Sequence, residues 1–183
     1  MVDLAFLLVT FFMMTTTFRT VEPITLDMPD SQSEAKLPES DVLTIIASAD
    51  GRYFIGLDKK ENRMSWLDLM AKDYGASFSI SEANVFALQS SIGMPMNQLG
   101  SFLSMDPDKR PGFIQPGIPI DSTGGELKDW ITFARLVNPS LKVAIKGDEE
   151  TPYPAIKDVM DLLQEMNITR YGFVTDIERE SDV

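Results

Sequence analysis

A chain of 183 residues has room for one membrane anchor and one soluble domain of ordinary size. Its 28 acidic residues against 16 basic ones leave a formal net charge of −12, which argues against nucleic acid as a partner and against a polybasic grip on anionic lipid. It contains neither cysteine nor histidine, so disulfide frameworks, thiol catalysts, Ser-His-Asp chemistry and the common zinc sites are excluded.

In chain order, the first element is an apolar run, Leu4 to Met14, that begins directly after Asp3 and passes through Thr15-Thr16-Thr17-Phe18 before Arg19. It reads as a membrane helix. An ionisable carboxylate against such a run is a functional-site hypothesis by default, because a charge in hydrocarbon survives only with a partner or a water path. As a helix, Leu4 to Phe18 rises about 22 Å, against a hydrocarbon core of ~30 Å. Leu4, Phe6, Leu7, Leu8, Val9, Phe11 and Phe12 supply roughly −2 to −4 kcal/mol of insertion energy, and a central aspartate costs about +2.5 to +3.5. Lone insertion is therefore marginal, and the helix is expected to continue upstream of Met1 and to insert with partners. A cleaved leader fits poorly, since the run starts with an acid and ends in threonines. Arg19 alone would put the C-terminal side in the cytoplasm by charge bias. Asp3, Thr10 and Thr17 recur every seven residues and share one stripe of the helix, flanked by Phe6, Leu7, Met13 and Met14. Two readings of that stripe stand open. Its hydroxyls either serve a proton path or helix pairing, or simply bind backbone carbonyls.

Residues 20–41 read as a linker, punctuated by Pro23, Pro29 and Pro38 and charged by Asp27, Asp30, Glu34, Glu39 and Asp41. Within it, Ile24-Thr-Leu-Asp-Met28 alternates as an edge strand would, so Ile24, Leu26, Met28 and Pro29 are candidate partner-binding residues. Val42 to Leu57 predicts a hairpin about Asp50-Gly51, with positive φ at both turn positions. Ser65 is expected to cap a helix through Trp66, Leu67 and Met70, and Ser81 another through Val85, Phe86 and Leu88. From Gly93 to Gly125, Pro95, Pro107, Pro111, Pro116 and Pro119 mark a long loop with little regular structure. Its apolar residues, Met94, Met96, Leu99, Phe102, Leu103, Phe113 and Ile114, should nevertheless pack as a lid on the sheet or on a partner. Gly125 to Val137 has helical spacing and stops at Asn138-Pro139. Leu141 to Ile145 alternates as a strand, Tyr153 to Met166 is an amphipathic helix, and Tyr171 to Val174 is a last short strand before a charged tail.

The anchor with its single acid, the alternating segment closed by Pro29, the Tyr53-Phe-Ile-Gly56 strand and Leu141 to Asp148 followed by Tyr153 to Val174 together resemble the ExbD/TolR family of biopolymer-transport proteins. The resemblance covers about two thirds of the chain. Members of that family carry residues ahead of the aspartate, so residues 1–19 are expected to be an incomplete transmembrane helix. Glu61 to Gly125 reads as an insertion that shorter relatives lack. The implied fold class is α+β: one N-terminal transmembrane helix (1–19), a linker (20–41), a small periplasmic α/β domain (42–176) of hairpin then helix-strand-helix-strand with an insertion at about 61–125, and a tail (177–183).

The resemblance further implies a single-pass inner-membrane protein with its C-terminal domain in the periplasm. Asp3 would be the proton-carrying residue of a channel shared with a polytopic ExbB/TolQ-like protein. Proton passage would drive a TonB-like protein that opens outer-membrane receptors, and the chain would pair with itself. No enzymatic activity, cofactor or metal is expected. The alternative is a membrane-tethered periplasmic scaffold or binding module, with a TolR-like envelope role or a ligand or cell-wall site, in which Asp3 only anchors a helix pair.

Overall fold

The computed structural model describes residues 2–15, 40–120, 125–147 and 151–174. Helix α1 (Val2–Thr15) takes up the apolar run. Strands β1 (Val42–Ala47) and β2 (Tyr53–Leu57) form the expected antiparallel hairpin, with Ile45 opposite Ile55 and Ala47 opposite Tyr53. Its turn differs from the expectation. Ser48 N donates to Arg52 O and Gly51 N to Ser48 O, both at 2.9 Å, and of the two turn residues only Gly51 has positive φ, at 78°. A three-residue loop with a glycine in the left-handed region needs one such position where a two-residue turn needs two. Asp50 therefore keeps ordinary backbone geometry, and its carboxylate accepts from Arg52 Nε at 2.6 Å.

Strand β3 (Lys142–Gly147) runs parallel to β1, with Leu43 beside Val143, and β4 (Tyr171–Val174) runs parallel to β3. The sheet order is β2-β1-β3-β4. Leu43, Ile45, Ile55, Leu57, Val143 and Ile145 alternate onto one face and are buried. Helices α5 (Gly125–Val137) and α6 (Tyr153–Glu165) bury Leu127, Trp130, Ile131, Val159 and Leu163 in the same core. Both match the apolar spacing seen in the sequence.

The segment between β2 and α5 is more ordered than expected. Helix α2 (Lys60–Asp73) starts at Lys60, not after a Ser65 cap, and Lys59 caps it with no side-chain hydrogen bond. Tertiary contacts fix that start. Arg63, in the first turn, spreads its guanidinium over four carbonyls: Leu57, Asp58 (3.0 Å), Ala87 (3.0 Å) and Gln89 (2.5 Å). Helix α3 (Ile80–Leu88) is capped by Ser79, not Ser81, through a capping box with Glu82. The Ser-x-x-Glu spacing of 79–82 was readable and outranks a bare serine closer to the apolar run.

Helix α4 (Met96–Leu103) lies where a loop was expected. Its N-terminus is capped from a distance, the Glu126 carboxylate accepting from Met96 N at 2.8 Å, so no local signal announces it. The lid expectation holds for Met94, Met96, Leu99, Phe102 and Leu103, which are buried in the common core. It fails for Ile114, which is 79 % exposed.

The same segment closes one edge of the sheet. Ile55 and Ile92 exchange backbone hydrogen bonds at 2.9 and 2.8 Å, and Ile118 N donates to Tyr53 O at 2.8 Å. Gly56 permits this approach, since a Cβ there would run into the Ser90 carbonyl. An edge strand left bare invites pairing with other chains, and β2 is not left bare.

Candidate functional site

Helix α1 presents the chemistry singled out in the sequence. Fourteen residues rise about 21 Å, and no helix among the described residues is long and apolar enough to cross a membrane. Its large apolar side chains from Val2 to Phe12 are 56–84 % exposed, and they point in all directions around the axis. Full burial of such a side chain is worth about 1.5–3 kcal/mol. Summed over α1 this is comparable with the whole net stability of a typical domain, ~5–15 kcal/mol. A helix that is apolar all round needs lipid or other helices about it.

Asp3 stands in the first turn of this helix. Thr10 lies two turns on, at nearly the same angle around the axis and about 10 Å along it, too far for direct proton exchange with Asp3. The Thr10 hydroxyl donates to the Phe6 and Leu7 carbonyls, each at 3.0 Å. This is the backbone-binding alternative left open for the stripe, and it leaves the hydroxyl able only to accept. Thr17, Ile24, Leu26, Met28 and Pro29 lie outside the described residues. The structure therefore places Asp3 and Thr10 on one helix, the two expected site residues among those described.

Asp41 closes the expected linker and is firmly held. With φ at 63°, it receives Lys59 Nζ at 2.8 Å and Asn138 Nδ2 at 2.6 Å, and its carbonyl accepts from Lys142 N at 2.9 Å. The Lys59 hydrogen bond holds its carboxyl below the ordinary aspartate range. Strand β4 forms the opposite edge from β2, and on its outer side no strand pairs with it among the described residues. Phe173 on that strand is half exposed. Among the described residues the sheet thus has one covered edge and one open edge.

Two features were missed in the sequence. Arg63 sits in a run of mixed polar residues that resembles any solvated helix face, and nothing local marks it as a clamp. Burial pushes its pKa below the usual guanidinium value, yet the four carbonyls leave it a well-satisfied cation. Trp66 and Trp130 were assigned to separate helices. They meet edge to face at 4.7 Å, and Trp66 Nε1 donates to Trp130 O at 2.8 Å. Among the described residues no group of three or more acidic side chains is placed to hold a metal ion.

The comparisons with known proteins follow from the whole chain. The sequence model of the family described as "Biopolymer transport protein ExbD/TolR" matches residues 1–178. No curated protein and no solved structure gives a significant match.

Proposed function

The chain belongs to the ExbD/TolR family, and we propose that it is the proton-motive-force-coupled energy transducer of an ExbB-ExbD-TonB-like complex driving transport across the outer membrane. Membership by itself carries a biopolymer-transport role. One observation supports the finer reading: α1 is apolar around its whole circumference, exposed, and carries a single carboxylate, Asp3.

In this reading α1 works inside a ring of helices from an ExbB/TolQ-like inner-membrane protein, which cover its exposed side chains. The body from residue 40 onward lies in the periplasm. Asp3 crosses the apolar contact when protonated and neutral, and is held at a polar or wet position when ionised. The driving force is adequate. One charge moved through 100 mV releases about 2.3 kcal/mol, and each tenfold proton gradient adds about 1.4. Several protons per stroke can remodel a protein interface. The alternating segment of Ile24, Leu26, Met28 and Pro29 then supplies a strand to an open edge, either of a second copy or of a TonB-like protein. The outer side of β4, unpaired among the described residues, supports that placement.

The test is Asp3→Asn at matched expression with the membrane partner present. Asparagine keeps size and hydrogen bonding but removes titration. The variant should insert and bind the partner while receptor-dependent uptake and proton flux in vesicles stop. Asp3→Glu should retain partial activity. Wild-type flux from Asp3→Asn would sink the proton-carrier role and leave the tethered scaffold in its place.

A further inference from the structure

After α4 the chain makes two consecutive turns, with Lys109 N donating to Asp106 O and Phe113 N to Arg110 O, each at 3.0 Å. They bring Pro107, Arg110, Pro111 and Phe113 together with Phe102 and Gln115 around a cavity of about 180 Å³. Its apolar wall is the Phe102 and Phe113 rings, 5.7 Å apart and tilted by 49°. Gln115 is 3 % exposed, and its Oε1 accepts from Gly93 N at 2.6 Å, which fixes the side chain with its amide nitrogen left over as a donor.

Arg110 is the unusual member. In a chain with 28 acids it forms no ion pair among the described residues. Asp106 is taken by Lys109 at 3.0 Å, and the Glu82 carboxylate is taken by the Ser79 amide and hydroxyl at 2.7 Å. The Arg110 Nε is buried with no hydrogen-bond partner, and Nη2 reaches only the Leu103 carbonyl at 3.4 Å. A buried guanidinium N–H left unmade costs free energy, and a carboxylate in the cavity that pairs with the terminal Nη nitrogens compensates the poorly partnered cation with charge-assisted hydrogen bonds. Arg63 shows the opposite solution, each of its three guanidinium nitrogens donating to a carbonyl.

We propose that this cavity binds a carboxylate carried on an apolar, ring-sized group. The carboxylate pairs with Arg110, and the apolar group lies between the two phenylalanines and the two prolines. A free organic acid and the C-terminal residue of a peptide share this chemistry. The proposal does not depend on the role of Asp3.

The test uses the full chain in detergent, labelled with ¹⁵N in arginine, and follows the Arg110 Nε–H resonance, assigned from its loss in Arg110→Lys. Sodium phenylacetate, the tripeptide Gly-Gly-Phe and neutral phenylacetamide are added separately at constant ionic strength. At least one acid should give a saturable shift, with the amide binding about tenfold or more weakly, the loss of one charge-assisted pair. Arg110→Gln, in a second sample labelled with ¹⁵N in phenylalanine and read at the Phe113 amide, should weaken acid binding by a similar factor. Binding of phenylacetate alone identifies a free acid as the ligand, and tighter binding of the tripeptide identifies a chain terminus. No saturable shift with either acid, or an amide that binds as tightly as its acid, overturns the proposal. If Arg110→Gln does not fold, the comparison of acid with amide on the unaltered chain decides.

Discussion

Phe11 and Phe12 on α1 and Phe86 and Phe102 in the body are the same residue in opposite circumstances. The first two are about 60 % exposed, and the second two are buried in the common core, Phe86 stacked on Trp130. Both regions are helical and rich in apolar residues, yet among the described residues only the body buries them. The body folds on contacts it carries, including an edge closed by its own segment between β2 and α5. Helix α1 keeps its large apolar side chains exposed among the described residues. On the proposed reading, a carboxylate on the exposed helix is where a partner can reach it.

The largest effect that would sharpen this contrast is on the body. Trp130 lies between Trp66 and Phe86, with ring centroids 4.7 and 5.9 Å away. Trp130→Ala should cost about 3–5 kcal/mol by leaving a cavity. Denaturant unfolding of the full chain in detergent measures it, with helicity of α1 followed separately by hydrogen exchange. If α1 loses protection together with the body, the two are one cooperative unit and the contrast breaks.

Arg63→Met keeps most of the apolar stem but orphans the carbonyls of Leu57, Asp58, Ala87 and Gln89. The expected loss is about 2 kcal/mol, the usual scale for hydrogen bonds to a charged group. Arg63→Lys should recover only part, because an ammonium cannot span a fork. An unchanged denaturant midpoint in Arg63→Met would mean that the insertion is held without its clamp.

The smallest effect is pH-dependent. Lys59 holds the Asp41 pKa below its ordinary value, so the fold favours the ionised form. That contribution is fully present above the ordinary carboxylate pKa of about 3.9 and disappears as the pH falls through the lowered folded value. Asp41→Asn should therefore lower stability slightly at neutral pH, where the contribution is present, leave the lowest pH nearly untouched, and so flatten part of the acid limb of the body's stability curve. An acid limb identical to wild type would show that this junction contributes nothing.

Much of this protein was legible along the chain. The apolar run with its leading acid, the Asp50-Gly51 turn, the stop at Asn138-Pro139 and the bounds of α5 and β4 rest on neighbours a few residues apart. Turn chemistry and helical periodicity act at that range. Tertiary structure alone decided the rest. Leu43 finds Val143 across most of the chain, Glu126 caps α4 from another helix, and Arg63 starts α2 by gripping carbonyls of two other segments. None of these leaves a local trace, because each partner is ordinary in its own neighbourhood and the energy exists only once the chain has brought them together. Arg110 is the same lesson inverted. In the sequence it is a surface arginine among prolines, and only the fold shows that its donor has been buried and left without a partner.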